Sequence, residues 1–288
     1  MLRLQNQPAP DKDKAPIGVL LLHGLTGEPS EMKPVAQTLR QQGFRVEVPV
    51  LAGHGGSHQE LLQTSWMDWL QSAREALLQL QEECEQVFIG GLSMSTLLAV
   101  NLAAELPVDG LILCSPTYGI LHKNMHPLQI LLPLGCKVPF LHDKCYWTER
   151  PPYGLKDERL QKLITRSINA AKRGQTAKYG LFRTYVGSIE QVNRLVKQTK
   201  RVAAQASCPV LLIHSLEDTI APIENATALY ADLGSSDKQL KFIRGCDHVM
   251  TVDLQKQYVA QCFVDFVSRV AHKMPEGLPA WQEKQEIA

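Results

Sequence analysis

Short apolar runs alternate along the chain with segments in which apolar residues recur every three or four positions. The runs, rich in branched side chains, lie at 17–23, 45–50, 86–91, 110–115, 209–215 and 240–245. Helical periodicity follows most of them, at 30–42, 65–84, 94–105, 222–233 and 253–270. Continuous apolar strands that alternate with helices are typical of a parallel sheet covered on both faces. The pattern therefore predicts an α/β fold with a doubly wound, mostly parallel sheet.

A long segment interrupts this alternation. Roughly 95 residues separate the fourth apolar run from the fifth, far more than a helical crossover needs. The segment holds an apolar, proline-interrupted stretch at 126–141 and two amphipathic helical stripes, one of Leu160, Leu163, Ile164, Ile168 and Ala171, the other of Phe182, Tyr185, Val186, Ile189, Val192 and Val196. We expect a core of 1–115 and 206–288, with 116–205 as a cap over the carboxyl end of the sheet.

Composition narrows the class of protein. The chain has 288 residues, of which 44% are hydrophobic and 20% charged, and its net charge of +1 gives no argument for nucleic acid as a partner. Residues 1–16 lack the apolar core of a signal peptide, and no apolar run approaches about 20 residues, which predicts a cytoplasmic protein. The seven cysteines form no CxxC pair, so we expect reduced, buried thiols rather than disulfides or a zinc site.

The stretch GGLSMST, 90–96, joins an apolar run to a helical pattern. A serine on a sharp strand-to-helix turn is typical of a nucleophile elbow, G-x-S-x-G, in which small flanking residues permit a strained backbone. Here Gly91 precedes Ser93 by two positions, and Ser95 stands where the second glycine is usual. The alternative interpretation is that Ser93 or Ser95 only caps the helix.

A serine nucleophile needs a histidine to take its proton and a carboxylate to orient that histidine. Asp218 follows the run at 209–215, with Glu217 as a rival carboxylate, and His248 follows the run at 240–245. Serine, acid and histidine, each after a strand and in this chain order, are the arrangement of α/β-hydrolases. We therefore predict Ser93, Asp218 and His248 as a catalytic triad. A Cys246–His248 nucleophile pair is disfavoured, because these neighbouring residues offer no elbow.

The oxyanion formed during acyl transfer needs two backbone N–H donors. One comes from the residue after the nucleophile, here Met94, and the other from the loop after the first strand, where HGLTG makes Leu25 the candidate. Gly24 and Gly27 would let this loop turn inward.

The fragments LLLHGLTG, PVLAGHG, GGLSMS, EDTIAP and GCDHVMTVD resemble the bacterial carboxylesterases and monoacylglycerol lipases of the α/β-hydrolase superfamily. The resemblance covers about 17–115 and 205–270, and it implies the same triad and the same two donors. The sequence departs from the family pattern at Leu25, where phenylalanine is usual, at Ser95, where glycine is usual, and at Cys246-Asp247, where Ser-Gly is usual.

We therefore expect a serine hydrolase that cleaves carboxylic esters, with fatty-acyl or shorter chains, through an acyl-enzyme intermediate. No metal or organic cofactor is implied: GHGG at 53–56 is not a phosphate loop, and His54 and His58 lack the spacing of zinc ligands. We expect Gly24, Leu25 and His54 to contact the substrate, the last from the rim of the site. The alternatives are an acyl thioesterase and a catalytically silent binding protein on the same scaffold.

The predicted cap is strongly basic. Residues 156–201 hold twelve Lys and Arg and three acidic residues, a net charge of +9. A solvated cap face is the simpler interpretation. The other is that the cap attracts an anionic partner, such as an acyl carrier protein or a membrane surface.

Overall fold

The computed structural model describes residues 15–119, 138–171, 173 and 180–271. Its strands are β1 (Ala15–Leu22), β2 (Arg45–Glu47), β3 (Cys84–Leu92), β4 (Gly110–Cys114), β5 (Tyr146–Thr148), β6 (Arg183–Tyr185), β7 (Val210–Ser215) and β8 (Lys238–Ile243). Six of them form one sheet in the order β2-β1-β3-β4-β7-β8, and every neighbouring pair is parallel. The predicted parallel α/β sheet is confirmed.

Helices cover both faces of this sheet. They are α1 (Lys33–Gln41), α2 (His58–Leu62), α3 (Trp66–Glu83), α4 (Ser95–Glu105), α5 (Glu158–Ala171), α6 (Val186–Val202), α7 (Glu224–Asp232) and α8 (Lys256–Val270). Leu20 and Leu22 of β1 join one buried cluster with α3, α4 and α6, whereas Val19 and Leu21 join the opposite cluster with α1 and α8. Alternate side chains of one strand thus point to two buried faces, which explains the continuous apolar runs.

The strand order sets the position of the functional loops. Strand β2 pairs with one edge of β1 and β3 pairs with the other, so the direction of strand addition reverses at β1. Open α/β sheets bind ligands in the crevice that such a reversal leaves at the carboxyl ends of the strands. The loop after β1 and the turn after β3 lie side by side at this crevice.

Part of the segment predicted as a cap packs into the core of the sheet. Helix α6 packs beside α4, where Asn101 Nδ2 donates to Thr199 Oγ1 at 2.8 Å, and Leu195 of α6 is fully buried in the sheet's own cluster. Helix α5 spans the first predicted amphipathic stripe. Most of the apolar stretch predicted at 126–141 lies outside the described residues, because 120–137 are not among them.

The second amphipathic stripe was predicted to run from Phe182 as one helix, and this prediction is wrong at its start. Residues Arg183–Tyr185 form β6, which pairs antiparallel with β5, and α6 begins only at Val186. The partner strand supplies hydrogen bonds that are invisible to local periodicity, so pairing with β5 overrides the helical pattern of apolar residues.

Two further findings concern membranes and cysteines. None of the helices in the described ranges is both long enough and apolar enough to cross a bilayer.

Cys114, Cys246 and Cys262 are buried thiols, as predicted, whereas Cys145 is exposed in the predicted cap, contrary to the expectation of buried cysteines.

Candidate active site

Ser93 occupies a strained turn between β3 and α4. Its φ is +58°, in the left-handed region that residues with a Cβ seldom adopt, and its N–H donates to the Cys114 carbonyl at 2.9 Å. The turn is so tight that a Cβ on Gly91 would lie 2.6 Å from the Ser95 carbonyl oxygen and 2.8 Å from the Thr96 nitrogen. This is the geometry of a nucleophile elbow, in which strain exposes the hydroxyl at the top of the sheet.

Neither serine of this turn caps the helix. Met94 occupies the N-cap position, and no side chain makes a capping hydrogen bond there. The hydroxyl of Ser95 is fully buried and donates to the His23 carbonyl at the end of β1, while the hydroxyl of Ser93 faces His248. Ser95 therefore ties the start of α4 to β1, which a glycine at this position could not do.

Ser93, His248 and Asp218 lie in one hydrogen-bonded line. His248 Nε2 is 2.8 Å from Ser93 Oγ, and His248 Nδ1 is 2.7 Å from Asp218 Oδ2. Asp218 and His248 are only 6% and 4% exposed. The loops after β3, β7 and β8 thus bring together three side chains that are far apart along the chain, with Nδ1–H oriented to donate to the carboxylate and Nε2 to accept from the hydroxyl.

The structure distinguishes the two neighbouring carboxylates after β7. Asp218 Oδ1 accepts from the Ile220 and Ala221 N–H groups at 2.8 and 2.7 Å, which leaves Oδ2 for His248. Glu217 points away: its carboxylate pairs with Lys156 and accepts from the Gly245 N–H at 3.2 Å. Asp218, not Glu217, reaches the histidine.

Burial and neighbouring charges shift the pKa values of His248 and Asp218 in opposite directions. Burial lowers the pKa of His248, but the adjacent Asp218 carboxylate, with smaller contributions from Asp247 and Glu31, raises it above 6.5 overall. Burial raises the pKa of Asp218, but His248, His214 and the backbone donor at Ala221 bring it below its ordinary value. Asp218 is therefore ionised at neutral pH and stabilises a positive charge on His248.

Two aspartates that were not predicted as site residues position the histidine loop. The His248 N–H donates to Asp247 Oδ1 at 2.8 Å, and Asp247 also accepts from the Thr219 N–H at 2.7 Å. Asp253, fully buried, accepts from the N–H groups of Asp247 at 2.7 Å and of Lys156 at 2.9 Å. The sequence feature that could have indicated these two roles is the presence of aspartates on both sides of the histidine in DHVMTVD.

The loop after β1 lies against the elbow. A Cβ on Gly24 would be 3.6 Å from Ser93 Cβ, and Thr26 has a φ of +61°. Within the described parts of the chain, the Leu25 and Met94 N–H groups donate to no protein acceptor, although neighbouring N–H groups of Gly24 and Gly27 do. Among the described residues the structure thus leaves both candidate donors unengaged, one directly after Ser93 in the chain and one on the loop that packs against it.

His54 lies beneath this loop. It is 6% exposed, its Nδ1 is 3.0 Å from the Ala52 carbonyl, and its ring stacks edge-on against His23 and Trp69 at 5.1 and 5.7 Å between ring centres. Burial lowers the pKa of His23 to about 3, so His23 is neutral, and its Nε2 accepts from the Leu51 N–H. These contacts make His54 a support of the loop that carries Gly24 and Leu25, and its contact with substrate stays a prediction.

Residues 14–255 match the family described as "Serine aminopeptidase, S33". The chain belongs to this family. No group of three or more His, Cys, Asp or Glu side chains in the described ranges is arranged to hold a metal ion.

Named relatives of this S33-family chain are lipases and esterases. It is 28% identical to the thermostable monoacylglycerol lipase of Bacillus sp. (strain H-257), over 90% of this chain and 93% of the relative. It is 22% identical to a carboxylesterase of Bacillus subtilis (strain 168), over 90% and 94%. The monoacylglycerol lipase of Paleococcus ferrophilus shares its fold, with a TM-score of 0.71 at 18% identity over 89% of this chain and 95% of that one. The fold is the α/β-hydrolase fold, and the protein is a serine hydrolase of the lipase and esterase type.

Proposed function

We propose that this ester-hydrolysing serine hydrolase cleaves monoacylglycerols and related fatty-acyl esters through an acyl-enzyme formed on Ser93. The observation that carries the proposal is the position of the His248 imidazole, hydrogen-bonded at 2.8 Å to the Ser93 hydroxyl and at 2.7 Å to the Asp218 carboxylate. The relatives named monoacylglycerol lipase and carboxylesterase support the substrate class. The acyl thioesterase and the silent binding protein gain no support from them.

Each member of the triad has a distinct role in this mechanism. Ser93 Oγ attacks the ester carbonyl while His248 Nε2 takes its proton, and Asp218 holds the Nδ1–H and stabilises the imidazolium. The imidazolium then gives the proton to the departing alcohol oxygen, which leaves the acyl group on Ser93. The same nitrogen then takes a proton from a water molecule as the water attacks the acyl-enzyme, and it returns that proton to Ser93 Oγ as the carboxylic acid leaves.

The N–H groups of Leu25 and Met94 stabilise the tetrahedral intermediate in this proposal. Their lack of protein acceptors among the described residues supports the assignment, because an oxyanion hole needs donors that are free before the substrate arrives. Gly24 and Leu25 contact the substrate carbonyl, since their loop packs against Ser93.

The inserted region, 116–205, acts in our proposal as a cap over this site. Two contacts support it: the Val249 N–H, next to His248, donates to the Gly154 carbonyl at 2.9 Å, and the Leu181 N–H donates to the Thr26 carbonyl at 2.8 Å. A Cβ on Gly154 would lie 3.1 Å from His248 Cβ. Inserted residues thus approach both the histidine loop and the oxyanion loop.

The test is a substrate panel with one inactive control. Purified protein is assayed with monoacylglycerols and p-nitrophenyl esters of increasing chain length and with the matching acyl-thioesters, and Ser93→Ala serves as the control. We expect ester turnover and labelling by a fluorophosphonate in wild type only. A folded wild type that is neither labelled nor active would favour the binding protein, and higher kcat/KM for thioesters would favour the thioesterase.

The basic surface of the insertion suggests how the enzyme meets its substrate, and we propose that it docks on an anionic membrane surface. Exposed aromatic and basic side chains adjoin there: Lys144 Nζ lies 3.6 Å from the centre of the exposed Phe140 ring, and the Arg183 guanidinium lies 4.7 Å from that of Tyr146. Exposed basic residues continue along α5 and α6, at Arg159, Lys162, Arg166, Arg194, Lys197 and Arg201. Such a combination is typical of interfacial binding.

Vesicle sedimentation tests this docking. We expect wild type to bind phosphatidylglycerol vesicles at low salt and to release them at high salt, whereas the Phe140→Ser/Lys162→Glu variant binds weakly and keeps its kcat on a water-soluble ester. Equal sedimentation of both proteins would contradict the proposal. Faster turnover of an ester carried on an acidic carrier protein would instead favour that partner.

We also propose a cytoplasmic location. Cys114, Cys246 and Cys262 are buried, free cysteines, and none of the described cysteines is paired in a disulfide, as we would expect of a protein from a reducing compartment. Fractionation of cells that express the protein tests this, and recovery of activity in an extracellular fraction would contradict it.

A further inference from the structure

A carboxyl side chain that the triad does not use lies against the oxyanion loop. Glu31 Oε2 accepts the Gly24 N–H at 2.9 Å. The same oxygen would be 3.4 Å from a Cβ on Gly24, and a Cβ on Gly27 would clash with both oxygens of the carboxyl group. The two glycines of HGLTG therefore make room for this carboxyl as well as for the turn.

The neighbouring peptide groups show what this contact controls. The Gly24 carbonyl, which shares one rigid peptide plane with the Leu25 N–H, accepts from the Gly27 N–H at 3.2 Å and is 3.0 Å from His23 Nδ1. Glu31 holds the preceding peptide, whose N–H is that of Gly24. Because glycine tolerates rotation at its Cα, the two planes keep their relative orientation only while both are held, the second by the Gly27 N–H and the first by Glu31.

We propose that Glu31 is a positioning residue for the oxyanion hole: by holding the Gly24 N–H, it keeps the Leu25 N–H directed at the carbonyl that Ser93 attacks. The inference rests on the proposed function. It assigns Glu31 no contact with the substrate and no proton transfer. The other side of the loop is held separately, by Thr26, whose hydroxyl donates to the Leu25 carbonyl at 2.6 Å and is 3.3 Å from Glu149 Oε1.

The charge on Glu31 gives the proposal an independent readout. Burial raises the pKa of Glu31 to about 7, with Glu149 and Glu28 adding repulsion and the Gly24 N–H and His248 opposing it. In return, ionised Glu31 contributes to the raised pKa of His248. Glutamine in place of Glu31 keeps an oxygen to accept the Gly24 N–H but removes this charge, so it separates positioning from electrostatics.

The experiment compares Glu31→Gln and Glu31→Leu with Glu28→Gln and Glu28→Leu. Glu28 lies on the same loop, and its carboxylate accepts only from the exposed Ser30 hydroxyl among the hydrogen bonds of the described residues. We expect Glu31→Leu to lower kcat by about 10- to 100-fold, less than or comparable to the loss of a whole oxyanion donor, with KM changed less than threefold. A trifluoromethyl ketone, which mimics the tetrahedral intermediate, should lose affinity in parallel. Both Glu28 variants should match wild type.

Glu31→Gln should restore kcat to within about threefold of wild type and move the acidic limb of kcat/KM to lower pH. Wild-type kcat in folded Glu31→Leu, or the same loss in Glu28→Leu, would overturn the proposal. If Glu31→Leu does not fold, Glu31→Gln decides: a low kcat despite its retained acceptor rejects the role. A wild type without esterase activity would instead reject the proposed function itself.

Discussion

His248 Nε2 lies 2.8 Å from Ser93 Oγ across 155 positions of sequence. Two independent structures hold the atoms of this contact in place. The position of the hydroxyl depends on the left-handed backbone at Ser93. The position of the imidazole depends on the backbone of His248, whose N–H donates to Asp247 and whose carbonyl accepts from the Ser115 hydroxyl at 2.7 Å.

Replacing the orienting carboxylate should nearly abolish turnover. Asp218→Asn presents an amide to His248 Nδ1, which favours the wrong tautomer, and we expect kcat to fall by about 10⁴-fold. Glu217→Gln is the matched control, because the neighbouring Glu217 pairs with Lys156 instead and should keep kcat within about threefold. Steady-state kinetics on a p-nitrophenyl ester measure both. A greater loss in Glu217→Gln would show that the wrong carboxylate has been assigned.

The pH profile should report the raised pKa of His248. Catalysis requires the neutral imidazole, so kcat/KM should fall as the pH drops through a value above 6.5, the ordinary pKa of histidine. The acidic limb lies above 6.5 because the Asp218 carboxylate favours the charged imidazolium, so that the inactive form of His248 persists to higher pH. An acidic limb centred below 6.5 would contradict the described environment of His248.

The elbow should not tolerate a methyl group at Gly91. Because the new Cβ would meet backbone atoms of Ser95 and Thr96 at 2.6 to 2.8 Å, Gly91→Ala should lower the free energy of unfolding by about 1–3 kcal/mol. Urea denaturation measures the loss. Gly43→Ala is the comparison, because its φ of +81° is strained for alanine but its Cβ would meet nothing within 4 Å. Because Gly91 adjoins the nucleophile, we also expect Gly91→Ala to lose more esterase activity than Gly43→Ala. Equal activity in the two variants would argue against a strained turn at Ser93.

Stability should depend on the ionisation of Glu149. Burial raises its pKa to about 7 from an ordinary 4.5, so the folded state favours the protonated carboxyl. The unfolded chain releases that proton near pH 4.5, and stability is therefore lost as the pH rises from there through about 7. Glu149→Gln imitates the protonated form, so its stability relative to wild type should rise between pH 5 and pH 8. A difference that stays constant with pH would refute this assignment.

The fold was predictable because apolar periodicity reports burial directly. Each strand of the six-stranded sheet coincides with a predicted apolar run to within three residues. Strands β5 and β6 were not predictable, since they are only three residues long and half-exposed, and each exists through its pairing with the other. A stripe that continued through Tyr185 concealed the start of α6.

In the candidate site, too, some features were predictable from the sequence and others were not. That Ser93, Asp218 and His248 would meet follows from the chain itself, because parallel strands end at one edge of a sheet and each residue follows a strand. The chain left Glu217 as a rival, and tertiary structure decided between the two carboxylates in favour of the predicted Asp218. It alone decided that the Ser95 hydroxyl binds the His23 carbonyl and that Glu31 turns back onto Gly24. Periodicity records which positions are buried, whereas the direction of a side chain depends on backbone turns and distant neighbours, which no local pattern encodes.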